Sequence, residues 1–172
     1  MQKCYTARTN NQNTSTLLNL RNTFFGILLL ALISSCGDDD PFSFEDDYSL
    51  VPDPFSVENI TPDTTESGLI VYSLEEGSSE LEVTIRDIVR VYYTGRKTNG
   101  DIFDSSYKNL QLDPAQFVVS NLIDGFTEGL IGMKEGEKRV LVVPPELGYA
   151  GTTNSLREDT LVFDVELESI IF

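Results

Sequence analysis

Between Asp38 and Ser67 the chain carries ten acids and no base, interrupted by prolines 41, 52, 54 and 62. Unbalanced charge and proline oppose a packed core, because too little apolar surface is buried to offset chain entropy. The fold must therefore be built from the roughly 105 residues that begin at Gly68, enough for one modest core. Residues 36–67 read as an acidic, self-repelling, flexible tether. Phe42, Phe44, Tyr48 and Phe55 exceed what a linker needs, so some are candidates to pack back on the domain.

From Gly68 the pattern changes. Leu69 to Tyr72 reads as a short strand and Glu75 to Ser79 as a turn. Val83 to Tyr93 is β-branched and aromatic; Ile88 and Arg90 point one way, Val89, Val91 and Tyr93 the other. Asn99-Gly100 is a hairpin signal. Phe117 to Val119 and Lys138 to Val143 read as strands, and Glu135-Gly136-Glu137 as a turn. Thr160 to Phe172 alternates, with Leu161, Phe163, Val165 and Leu167 on one face. Apolar residues at 123, 126, 130 and 133 have helical spacing. Many antiparallel strands and one short α-helix define an α+β domain, the helix covering one sheet face.

Composition excludes several functions. Three of the 12 bases and none of the 28 acids precede Cys36, so the remainder carries nine bases against 28 acids. That surface repels nucleic acid and anionic headgroups. Without histidine, Ser-His and Cys-His nucleophile pairs and His-containing metal sites are ruled out. The acid clusters lack other ligand types, so no metal is expected, nor any cofactor.

Residues 1–23 are polar and basic, and Phe24 to Ile33 is a ten-residue apolar run. That is half of the ~20 residues a membrane-spanning helix needs, and it fits a secretory signal. The following Ile33-Ser34-Ser35-Cys36-Gly37 resembles the bacterial lipobox. The resemblance implies a lipoprotein signal peptide over residues 1–35 and a diacylglycerol thioether on Cys36, hence attachment to membrane in the cell envelope, at the outer membrane. Two or more acyl chains give stable anchoring. The acids after Cys36 also resemble surface-exposure signals of Bacteroidetes-type lipoproteins; a solvated spacer explains them equally well.

Three ordered stretches carry a second resemblance. They are Val91-Tyr92-Tyr93-Thr94-Gly95 with Asn99 to Ser106, Leu122 to Gly129 with Met133 to Lys138, and Val143 to Tyr149 with Thr160 to Leu167. Together they resemble the FKBP-type peptidyl-prolyl cis/trans isomerases. The resemblance implies an antiparallel sheet of five or six strands wrapped around one short helix, over residues 68–172, with the pocket between helix and sheet.

It also implies roles. Tyr93, Asp104 and Tyr149 correspond to catalytic positions, Asp104 hydrogen-bonded to Tyr93 at the pocket edge. Phe103 and Phe163 would be walls and Phe126 the floor, where the family usually has tryptophan. Leu122 and Ile123 would border the pocket, the Ile123 N–H and the Tyr149 hydroxyl each donating to a substrate carbonyl. Leu156 would stand in for a missing loop isoleucine. Ala115 falls where many members have another pocket phenylalanine, and Lys108 is the available substitute for an arginine beside Asp104. The expected partners are proline-containing polypeptides, and the chain is expected to be a monomer. The alternative is a peptide-binding module or holdase of the same fold with little turnover.

Overall fold

The computed structural model describes residues 45–171. The expected signal peptide, Cys36 and the first residues of the expected tether lie outside the described residues. Seven antiparallel strands and one α-helix follow in the order β1 (Asp63–Thr64), β2 (Ile70–Glu75), β3 (Ile88–Lys97), β4 (Ile102–Ser105), β5 (Ala115–Val118), α1 (Asp124–Leu130), β6 (Lys138–Val143) and β7 (Leu161–Ile171). The sheet order is β1-β2-β6-β7-β3-β4. One edge of β3 pairs with β7 along its whole length; the other pairs first with β5, then with β4. The α+β architecture expected from sequence is present, with seven strands where five or six were expected.

The long strands follow their period of two. On β3 and β7, Val89, Val91, Val165 and Leu167 are fully buried and Phe163 nearly so. The helix has only seven residues, too short to be stable alone. It is held by burying Phe126 and Leu130, and by two glycines one turn apart. A Cβ on Gly125 would lie 2.5 Å from Val143 Cγ1, and one on Gly129 would overlap Leu141. These glycines let the helix backbone settle onto β6. At Gly100, φ is +94°, the left-handed conformation the β3–β4 turn requires and glycine adopts without strain.

Two sequence expectations change. Val83 to Asp87 is not strand. The Asp87 carboxylate accepts from both the N–H and the hydroxyl of Thr84, at 2.7 and 2.9 Å, closing a turn that overrides the β-branched composition. Nor is the acidic segment a free tether throughout, since residues 45–67 belong to the same compact unit as the rest. Arg96 and Asp164, on the sheet face opposite the helix, form a buried ion pair. Arg96 Nη2 also donates to the Pro52 carbonyl at 3.0 Å, and the Phe55 N–H faces the Asp164 carboxylate. Local charge predicted extension; backbone carbonyls and amides of the segment supply polar partners that the sheet's buried charges need.

Candidate active site

The site begins with an irregularity. Gly95 pairs with Asp104 but Arg96 pairs with Ile102, so Phe103 is an extra residue in β4. Regular alternation would send Phe103 and Asp104 to opposite faces. The bulge re-aims them, so both serve one recess. The Phe103 ring lies edge-on to Phe163 with centroids 5.6 Å apart, and the Tyr93 hydroxyl donates to Asp104 Oδ2 at 2.6 Å. Gly95 makes the room: a Cβ there would come within 2.5 Å of Phe103 and 3.0 Å of Phe163.

Ser105 and Ser106 fix this corner. Both are buried, and both hydroxyls donate to the Tyr93 carbonyl, at 3.0 and 3.2 Å. Ser106 Oγ in turn accepts the Tyr93 N–H at 3.0 Å. The backbone of Tyr93 is thereby clamped to the segment carrying Asp104. Burial, reinforced by the Asp104 hydrogen bond, holds the Tyr93 hydroxyl well above its ordinary pKa, so it remains a donor.

The floor is a set of rings. Phe126 lies 4.8 Å from Phe163, 5.9 Å from Tyr93 and 6.4 Å from Phe117. Phe117 also meets Tyr93 edge-on at 5.5 Å. Sequence reasoning passed over Phe117 and left a gap at Ala115. The two residues share a face of β5, so an aromatic ring enters two positions later. The missed signal was that alternation.

Leu122, Ile123, Tyr149 and Leu156 pack half-buried against the same core. Ile123 is the residue before α1, and its N–H donates to no acceptor among the described residues. Tyr149 follows the tight turn at 145–147, and its hydroxyl likewise has no partner among them. Burial, then the nearby Asp104 charge, raises the Tyr149 hydroxyl above its ordinary value. Lys108 does not pair with Asp104; its ammonium is taken by Asp46 at 2.8 Å. The result is an apolar aromatic recess with one carboxylate at its edge and two uncommitted donors, Ile123 N–H and Tyr149 O–H. It offers no nucleophile with an adjacent base, and it suits chemistry that needs shape and polarity rather than proton transfer. A separate cleft of about 500 Å³, lined by Ser73, Glu75, Lys134 and Glu137, shares no residue with it.

Comparison with known proteins agrees. Residues 80–168 match the family described as FKBP-type peptidyl-prolyl cis-trans isomerase. A probable FKBP-type isomerase of Haemophilus influenzae is 42% identical over 107 residues, 60% of this chain and 43% of that one. FkpA of Escherichia coli K12 is 42% identical over 106 residues, covering 60% and 38%. The FK506-binding protein of Neisseria meningitidis serogroup B is 42% identical over 103 residues, 58% of this chain and 94% of that one. The crystal structure of FkpA superposes with a TM-score of 0.59 at 37% identity, covering 66% of this chain and 53% of that one. AtFKBP13 superposes with a TM-score of 0.56 at 27% identity, covering 64% and 99%. The chain belongs to the FKBP-type peptidyl-prolyl cis-trans isomerase family. It spans under half the length of the Haemophilus and Escherichia coli relatives.

Proposed function

We propose that this protein catalyses cis/trans isomerisation of Xaa-Pro bonds in exported polypeptides. The observation that carries the reading is the aromatic recess with Asp104 held at its edge by Tyr93. Rotation about the bond costs ~18–20 kcal/mol because it breaks C–N double-bond character. Water stabilises the planar, polar amide more than the twisted one. Transfer into a recess walled by Phe103, Phe126, Phe163 and Phe117 replaces that water and favours the twisted state. The Ile123 N–H and the Tyr149 hydroxyl orient flanking carbonyls, and Asp104 faces the twisting one. Uncatalysed isomerisation takes ~10–100 s, slow enough to limit folding after export. A peptidase-coupled assay tests this; no acceleration above background at micromolar protein would overturn it.

A second reading is peptide binding without turnover. The phenylalanine at 126, smaller than an indole, supports it. Peptide binding by calorimetry alongside a flat isomerase assay would establish it.

For location, we propose a monomer exported and lipid-anchored through Cys36 in the outer membrane of the cell envelope. The motif at 33–37 supports this. Cys36→Ser is expected to abolish labelling with a fatty-acid analogue; persistent labelling would exclude it.

A further inference from the structure

The acidic segment before the family-matched region reaches the active site itself. The Tyr48 hydroxyl, half-buried, donates at 3.1 Å to the carbonyl of Phe103, the bulge residue that sets the direction of Asp104. Its neighbours hold the loop that follows. The Asp47 N–H donates to Asn109 Oδ1 at 2.9 Å, and the Asn109 N–H donates back to the Asp47 carbonyl at 2.7 Å. Asp46 pairs with Lys108. That loop is strained, with Asn109 at φ 55° and Leu110 at φ 63°. Left-handed conformations of non-glycine residues persist only where surrounding contacts impose them. Tyr48 is itself set by a turn, in which the Val51 N–H donates to its carbonyl at 3.1 Å and the Ser49 N–H to the Asp47 carboxylate at 2.8 Å. Burial raises the Tyr48 hydroxyl above its ordinary value, so it donates throughout neutral pH.

We infer that Tyr48 is a positioning residue of the active site, holding the Phe103–Asp104 bulge in its productive geometry from a segment outside the family-matched region. The inference rests on the isomerase reading for its kinetic consequence but not for its geometric one. An angle error at the bulge moves Asp104 relative to the twisting carbonyl without changing the apolar walls that bind the proline ring. The loss should therefore fall on kcat and not on KM.

The test uses the full chain with Tyr48→Phe, which keeps the ring and removes only the hydroxyl. Glu58→Gln, an exposed change in the same segment, serves as control. Tyr48→Phe is expected to lower kcat about 3- to 10-fold, as loss of one hydrogen bond implies, with KM within about twofold. The Asp104 and Ser105 amide resonances should shift, while Glu58→Gln matches wild type in both. A Tyr48→Phe kcat equal to wild type overturns the inference, whatever happens to the melting temperature. So does a loss of efficiency that appears only as a raised KM. If wild type shows no turnover, the isomerase reading fails, and the amide resonances decide the geometry: shifted at 104 and 105, the positioning role stands; unmoved, it falls.

Discussion

Tyr93 and Asp104 sit on different strands, yet the tyrosine hydroxyl donates to the carboxylate at 2.6 Å, and two serines following Asp104 grip the tyrosine carbonyl. The carboxylate is therefore aimed by a partner whose own backbone is fixed. A hydrogen bond to a charged group contributes about 1.5–3 kcal/mol, and partial exposure of Asp104 places this one at the low end. Tyr93→Phe should lower kcat/KM for an Xaa-Pro peptide about 10-fold, and Asp104→Ala at least as much. Wild-type rates in Tyr93→Phe would remove the pair from the mechanism.

The same tyrosine makes the fold sensitive to alkali. Burial raises the hydroxyls of Tyr93 and Tyr149 above their ordinary value. A group with a raised folded-state pKa contributes stability that is complete below the unfolded value, about 10 for tyrosine. That contribution is lost as pH rises toward the folded value. The urea midpoint should be flat from pH 7 to about 9 and fall above about 10, less steeply in Tyr93→Phe. An identical decline in both proteins would assign the loss to other groups.

Arg96 and Asp164 are both 7% exposed, and Arg96 also holds the Pro52 carbonyl of the acidic segment. Burial pushes the Asp164 carboxyl upward even with the guanidinium beside it, so removing the arginine leaves an uncompensated buried acid. Breaking such a pair costs about 3–5 kcal/mol. Arg96→Ala should destabilise by about that amount in equilibrium unfolding, and the apolar pair Arg96→Met with Asp164→Leu should recover at least half. A double variant no better than the single one would mean that the contacts with 52–55, and not the charges, dominate.

Helix propensity alone would make Gly129→Ala stabilising by about 1 kcal/mol. Contact with Leu141 reverses the sign, because overpacking a core costs about 1–3 kcal/mol. The variant should melt several degrees lower. A higher melting temperature would show that α1 can lift from β6 without loss.

Period and punctuation in the sequence were enough to determine β6, β7, the Asn99-Gly100 hairpin and the short helix, because alternation, helical spacing and turn chemistry are local properties. The motif residues Tyr93, Asp104, Phe103, Phe126 and Phe163 were also legible, since the family resemblance marked their positions. Three things were decided only in three dimensions. Phe103 and Asp104 share one recess because of a bulge, which depends on the register of β4 against β3. Phe117 fills the place left open at Ala115 because β5 lies beside β3 and across from α1. The acidic segment folds onto the sheet because Arg96 and Asp164 are buried there and require its backbone, and Tyr48 comes with it to Phe103. Local composition records what a segment would do alone in water; a buried charge or a bulged carbonyl some fifty residues away changes that outcome, and only the packed chain brings the two together.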